Sequence, residues 1–295
     1  MGGWIIFSVL AALSWALVNV VDKYILTKWV RKPIVPVMIL GIIGLLAGAF
    51  IYLFQGFAPL SPVNITLAFA AGILYILMAI FYFKAAKIEE ISRIIPLFYL
   101  APLFILILAT IFLGEVFTPI KYLGIALLII GAVFISSKNF VKISLGKPFW
   151  FMILATLSIA GNQVITKYLL DFADFWTIFA YTRIGSVFIL VPIFYFSFKD
   201  LVSTIKEHGK KTVIVMSANE TLNLVGVLFI TIAASVGFIT LVNSLSSIQP
   251  FFVLLFTVML SVFYPKILKE EIGKSTLLKK TIAIILMFIG ALLIT

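Results

Sequence analysis

The sequence predicts an all-α integral membrane protein, with ten transmembrane helices forming two inverted five-helix repeats. Three observations carry that expectation. Of 295 residues, 63% are hydrophobic and 11% charged, and the mean hydropathy is +1.25, far from the mix of a soluble domain. Nineteen of the 22 Lys and Arg fall in alternate connections between apolar stretches. Two stretches recur later in the chain, at offsets of 144 and 148 residues.

A helix of about 20 apolar residues crosses the hydrocarbon core. Such segments run 4–26, 34–55, 65–86, 91–113, 119–137, 149–170, 175–198, 212–232, 237–262 and 277–295. Runs such as "YLGIALLIIGAVFI" are apolar on every side and lack the alternation of an outer-membrane strand. The opening "MGGWIIF" has no basic n-region, and no small-residue cleavage site precedes Asp22 and Lys23, so it reads as a retained first span. Gly2 lacks the downstream Ser or Thr that myristoylation requires. The absence of cysteine removes disulfides, thiolate metal sites and cysteine nucleophiles.

The first connection carries Lys23, Lys28, Arg31 and Lys32, and the third Lys84, Lys87 and Arg93. The fifth holds Lys138, Lys142 and Lys147, the seventh Lys199, Lys206, Lys210 and Lys211, and the ninth Lys266, Lys269, Lys274, Lys279 and Lys280. Only Lys121, Lys167 and the intramembrane Arg183 lie elsewhere. Lys and Arg of short loops stay on the cytoplasmic side, so both termini are expected outside, in the cell membrane. The net charge of +11 is then a topology signal with affinity for anionic lipid heads rather than for nucleic acid.

"LAALSWALVNVVDKYIL" (10–26) and "LATLSIAGNQVITKYLL" (154–170) share nine of 17 positions without a gap. "KAAKIEEISRIIPLFYLAPLF" (84–104) meets "IAASVGFITLVNSLSSIQPFF" (232–252), matching Ala85 and Ala86 with Ala233 and Ala234, and Pro102 with Pro250. "GAVFIS" at 131 and "GALLIT" at 290 close the two units, 1–140 and 141–295. Five spans per unit is an odd number, so the second copy starts from the opposite side, the arrangement that supports alternating access around a midplane site.

"LGE" (113–115) followed 16 residues later by Gly131, together with the five-plus-five layout, resembles the ten-helix members of the drug/metabolite transporter superfamily with two EamA-type repeats. The second half departs, with "KEE" (269–271) and a longer stretch before Gly290. The resemblance implies a secondary transporter of small metabolites, often an exporter of amino acids or related compounds. Its relatives usually have cytoplasmic termini, opposite to the orientation the charges predict here.

A charge at the bilayer centre costs about 2.5 to 3.5 kcal/mol even on the mildest scale. Glu220 lies nine residues past Lys211, and Arg183 nine past Asp174; each is then ~13 Å from opposite membrane edges, so the two could pair. The bland readings are an Arg183 that snorkels outward and a Glu220 bonded to Asn223. The functional reading makes Glu220 a substrate contact or a proton carrier. Asn219, Glu220 and Asn223 share one helix face. "NSLSSIQP" adds Asn243, Ser246 and Ser247 before Pro250, and its counterpart supplies Pro96, Tyr99 and Pro102; these prolines free carbonyls or let a helix bend. Asn19 aligns with Gln163, Asn162 sits beside it, and Trp15 lies one turn before Asn19. Tyr75 completes the set of candidate substrate contacts. Lys23 and Lys167 read as anchors or gates, "GLLAG" (44–48) as a close-packing face, and Gly72 and Gly226 as points of flexibility.

The function expected is transport of small polar metabolites, amino-acid-like or related, by a monomer or weak homodimer that needs no cofactor or metal. The alternatives are a nucleotide-sugar or lipid-linked-group transporter, which favours more basic cavity residues than Arg183 alone, and a non-transporting scaffold. An intramembrane enzyme is disfavoured, because the single histidine, His208, sits in the basic loop "KEHGKK" without a metal cluster or paired aspartates.

Overall fold

The computed structural model describes residues 3–89, 91–114, 116, 118–136, 146–246, 248–265 and 273–294. Among them the regular structure is helical, without strands. The first half contains α1 (Gly3–Lys28), α2 (Ile34–Gln55), α3 (Pro62–Ile88), α4 (Ile91–Ile94), α5 (Ala101–Leu113) and α6 (Pro119–Ser136), with a 3-10 turn, Ile95–Leu100, between α4 and α5. The second contains α7 (Lys147–Leu169), α8 (Phe175–Gly185), α9 (Val187–His208), α10 (Lys210–Val236), α11 (Ile239–Ser246), α12 (Gln249–Phe263) and α13 (Lys274–Ile294). Six stretches are long and apolar enough to cross a bilayer: α1, α2, α3, α7, α8 continuing into α9, and α10. Shorter apolar runs lie in α5, α6 and α12. The chain is a multi-pass helical membrane protein. The boundary at 140/141 lies outside the described residues.

Local chemistry sets the ends of these helices. Pro62 opens α3, where its missing N–H costs nothing, and Ser61 Oγ accepts the Asn64 amide at 3.2 Å. Asp174 caps α8, accepting the amides of Trp176 and Thr177 at 2.9 and 3.1 Å and the Thr177 hydroxyl at 2.7 Å. Proline lies in the first turns of the 3-10 segment, of α5 and of α12, which interrupts two apolar stretches. The prolines in the first turns of α5 and α12, Pro102 and Pro250, stand 148 residues apart.

The seventh apolar stretch differs from the sequence expectation. It divides at Ser186, whose hydroxyl donates to the Arg183 carbonyl at 2.5 Å, and its second part continues to His208. The expected basic loop 199–211 is therefore mostly helix, separated from α10 by Gly209 alone, whose φ of +77° only glycine adopts easily. "LVSTIKEH" turns Leu201 and Thr204 inward, and Arg31 and Lys32 pair with Glu207 and Asp200 across to the first connection.

The main interhelical contacts are α1 with α10, α3 with α7, and α6 with α13. α2 and α3 both pack on α8, the latter so closely that a Cβ at Gly72 would lie 2.0 Å from the Thr182 carbonyl oxygen. Gly72 is thus a packing site, not the flexible point expected. At two helix ends, lysines bridge to carbonyls in matched fashion. Lys23 Nζ donates to the carbonyls of Ala86 and Glu89 at 3.1 and 2.9 Å. Lys167 Nζ donates to those of Ala234 and Gly237 at 2.9 and 3.3 Å. The lysines are 144 residues apart and both acceptor pairs 148, and a cation suits the unpaired carbonyls of a helix C-terminus.

Burial raises the Asp174 carboxyl, but the bonds from Thr177 and Trp176 outweigh it and hold the group below its ordinary 3.8. A depressed folded value means that its stabilisation is complete above the unfolded value and is lost as pH falls through the folded one. Asp174→Ala is expected to cost about 1 kcal/mol in detergent unfolding at neutral pH, while Asp174→Asn, which still caps, keeps most of it.

Candidate functional site

A cavity of about 160 Å³ opens among α1, α3, α7, α8, α10 and the interrupted segments α5, α11 and α12. It is comparable to the roughly 150 Å³ that holds a benzene-sized molecule. Trp15, Asn19, Tyr75, Asn162, Gln163, Arg183, Glu220, Asn223 and Asn243 all line it. Much of the wall falls into equivalent pairs. At an offset of 144 these are Trp15 and Ile159, Asn19 and Gln163, and Asp22 and Thr166; at 148 they are Tyr75 and Asn223, Ala79 and Val227, Tyr82 and Ile230, Phe98 and Ser246, and Ala101 and Gln249.

Among the described residues three titratable or charged side chains reach this cavity, all deeply buried: Asp22 and Glu220 at 3% exposure and Arg183 at 4%. Asp22 is held by neutral donors, the Tyr82 hydroxyl at 3.0 Å and Asn219 Nδ2 at 2.7 Å. The same hydroxyl lies 3.1 Å from Asn19 Oδ1. Glu220 Oε2 accepts from Asn223 Nδ2 at 3.0 Å, and that amide also donates to the Tyr75 hydroxyl at 3.0 Å. The Arg183 guanidinium stacks over the Tyr75 ring, 3.8 Å from its centroid, with Phe179 at 5.2 Å. A desolvated stack of this kind is worth about 2 kcal/mol.

Several expectations change. Arg183 does not snorkel: its aliphatic stem lies against Gly44 and Gly48, so the "GLLAG" face packs here. Nor do Arg183 and Glu220 form an ion pair among the described residues; the link runs from Glu220 through Asn223 and Tyr75 to the guanidinium. Asn219 leaves the expected wall and turns to α1, where it supports Asp22. Asn162 lines the cavity and also bonds the Ala71 carbonyl at 2.8 Å, an interhelical contact. Pro250 is buried in the first turn of α12. Ser247 lies outside the described residues, as do the side chains of Pro96, Tyr99 and Pro102.

Sequence reasoning missed Asp22 and Tyr82. Asp22 adjoins Lys23 of the first basic connection, yet it lies on the Asn19 face and aligns with Thr166, which was the available signal. Four buried polar atoms have no hydrogen-bond partner among the described residues: Asn19 Nδ2, Gln163 Oε1, Arg183 Nε and Asn219 Oδ1. The first three belong to cavity-lining residues, so both donors and an acceptor are open to a polar solute.

Gly226 seats the Trp15 indole, since a Cβ there would lie 2.6 Å from Nε1. It too is a packing site and not a hinge. Gly226→Ala is expected to push the indole into the cavity, which should lower solute affinity about tenfold in binding titrations for a cost of 1 to 3 kcal/mol in stability.

Residues 2–137 match the model of the EamA-like transporter family. No curated protein matches the sequence. A crystal structure of another protein, 15% identical, aligns with a TM-score of 0.67 over 100% of this chain and 97% of that chain; at that identity the likeness concerns the fold. Through residues 2–137 the chain is similar to the EamA-like transporter family, which belongs to the drug/metabolite transporter superfamily.

Proposed function

We propose that the protein is a secondary transporter that carries small polar metabolites across the cell membrane by alternating access between two inverted five-helix repeats, 1–140 and 141–295. The observation that carries this reading is the cavity wall, whose residues come from both halves at two constant offsets. The helix pairing supports it as well: α1 on α10 has its counterpart in α3 on α7, and α6 meets its own equivalent, α13. Interrupted helices at a substrate cavity are a recurring transporter device, because unwound backbone is tolerated where it faces water. With a cavity of about 160 Å³ and one arginine among its described residues, a nucleotide sugar is disfavoured on both size and charge.

In this reading the ten spans are α1, α2, α3, α4 with α5, α6, α7, α8 with α9, α10, α11 with α12, and α13. The basic connections face the cytoplasm and both termini lie outside. The chain has no cysteine, so single-cysteine variants report cleanly. Cysteines at Gly3 and Thr295 should react with an impermeant maleimide on intact cells, and one at Ser203 only after lysis; a terminus that reacts only after lysis contradicts the orientation.

In this reading Lys23 and Lys167 act as latches, each closing one helix against the C-terminus of its neighbour. Lys23→Met is expected to raise hydrogen exchange at the facing ends of α1 and α3, and Lys167→Met at those of α7 and α10. Matching effects at one end only would refute a two-ended device.

A further inference from the structure

We propose that the cavity selects a small organic cation, its primary ammonium received by the Asp22 and Glu220 carboxyls and its body lying against Trp15, Tyr75 and Phe98. This rests on the transporter reading and names the substrate class for it.

Charge is the first ground. The described residues of the wall hold two carboxyls against one guanidinium, and a buried charge without a partner is costly. The guanidinium is engaged on the face of Tyr75 rather than on either carboxyl. When both carboxyls are ionised, a cation carrying one charge balances the wall, whereas an anion worsens the imbalance and a zwitterion leaves it.

Hydrogen bonding is the second, independent ground. The donors that hold the carboxyls are neutral and serve Asp22 Oδ1, Asp22 Oδ2 and Glu220 Oε2. Gln163 Oε1 has no donor at all among the described residues. An ammonium brings three N–H donors for the carboxyl oxygens and Gln163 Oε1, while the unpartnered donors Asn19 Nδ2 and Arg183 Nε call for an acceptor on the body of the solute. The aromatic rings that line the cavity attract a cation through their faces. The repeat equivalents of the two acids are Thr166 and Gly72, so the negative charge comes from where the halves differ.

The test uses two series in which the body is constant and the head group varies. Tyramine, tyrosol, tyrosine and 4-hydroxyphenylacetate differ in charge on one ring, and an n-butyl series does the same on a chain. Thermal-shift titration of the purified full chain should give the amine the tightest binding in at least one series, by about tenfold or more over its alcohol. Glu220→Gln and Asp22→Asn should each abolish most of that preference, measured as the ratio of amine to alcohol affinity within each variant, a selectivity change that a merely structural role would not produce. Should Asp22→Asn fail to fold, Glu220→Gln carries the comparison. A zwitterion or acid that equals the amine in both series, or an amine preference that survives in the variants, overturns the cation assignment and leaves the transporter reading standing. Silence from every compound also overturns it, and the transporter reading then falls to its own accessibility measurements.

Discussion

Carboxyl groups buried within a lipid-embedded bundle have to be satisfied by the bundle itself, and here that constraint organises the centre of the molecule. Asp22 and Glu220 are held by Asn219, Tyr82 and Asn223, which are uncharged. Neutral donors satisfy oxygen atoms without bringing a counter-charge, and in the proposed reading a cationic solute brings it. Arg183 meets only part of it, because its guanidinium is held by the Tyr75 ring and its stem by the glycines of α2.

The positions of these groups follow from repetition in the chain. Tyr75 and Asn223, which bond each other, are equivalents at an offset of 148, as are Pro102 and Pro250 in the first turns of α5 and α12. In the proposed reading repetition supplies the shape, namely a cavity lined by residues of both halves. Difference between the halves supplies the chemistry, since neither acid is repeated.

Much of this was legible in the sequence. Trp15, Asn19, Asn162, Gln163, Arg183, Glu220, Asn223 and Asn243 stand out because polar or amphipathic groups are expensive in an apolar helix, and all reach the cavity. Prolines marked both interruptions, because a residue without an N–H cannot continue the ladder. What the sequence did not give was azimuth. Counting residues from the membrane edge set Glu220 and Arg183 at similar depth, yet depth says nothing about which face each presents, and the two meet only through Asn223 and Tyr75. Asp22 was hidden by its neighbour Lys23, since adjacent residues on a helix point in different directions and share no environment. The extension of α9 was hidden by its charges, which mark a membrane edge but do not end a helix.

The account depends on one cavity shared by both halves and reached from either side of the membrane in turn. Ala79 and Val227 are equivalent positions on its wall. The direct measurement is the labelling of a single cysteine at each by an impermeant thiol reagent, in intact cells and in inverted vesicles. Reaction at both positions from both sides is the predicted result; reaction from one side only, or at one position only, would contradict it.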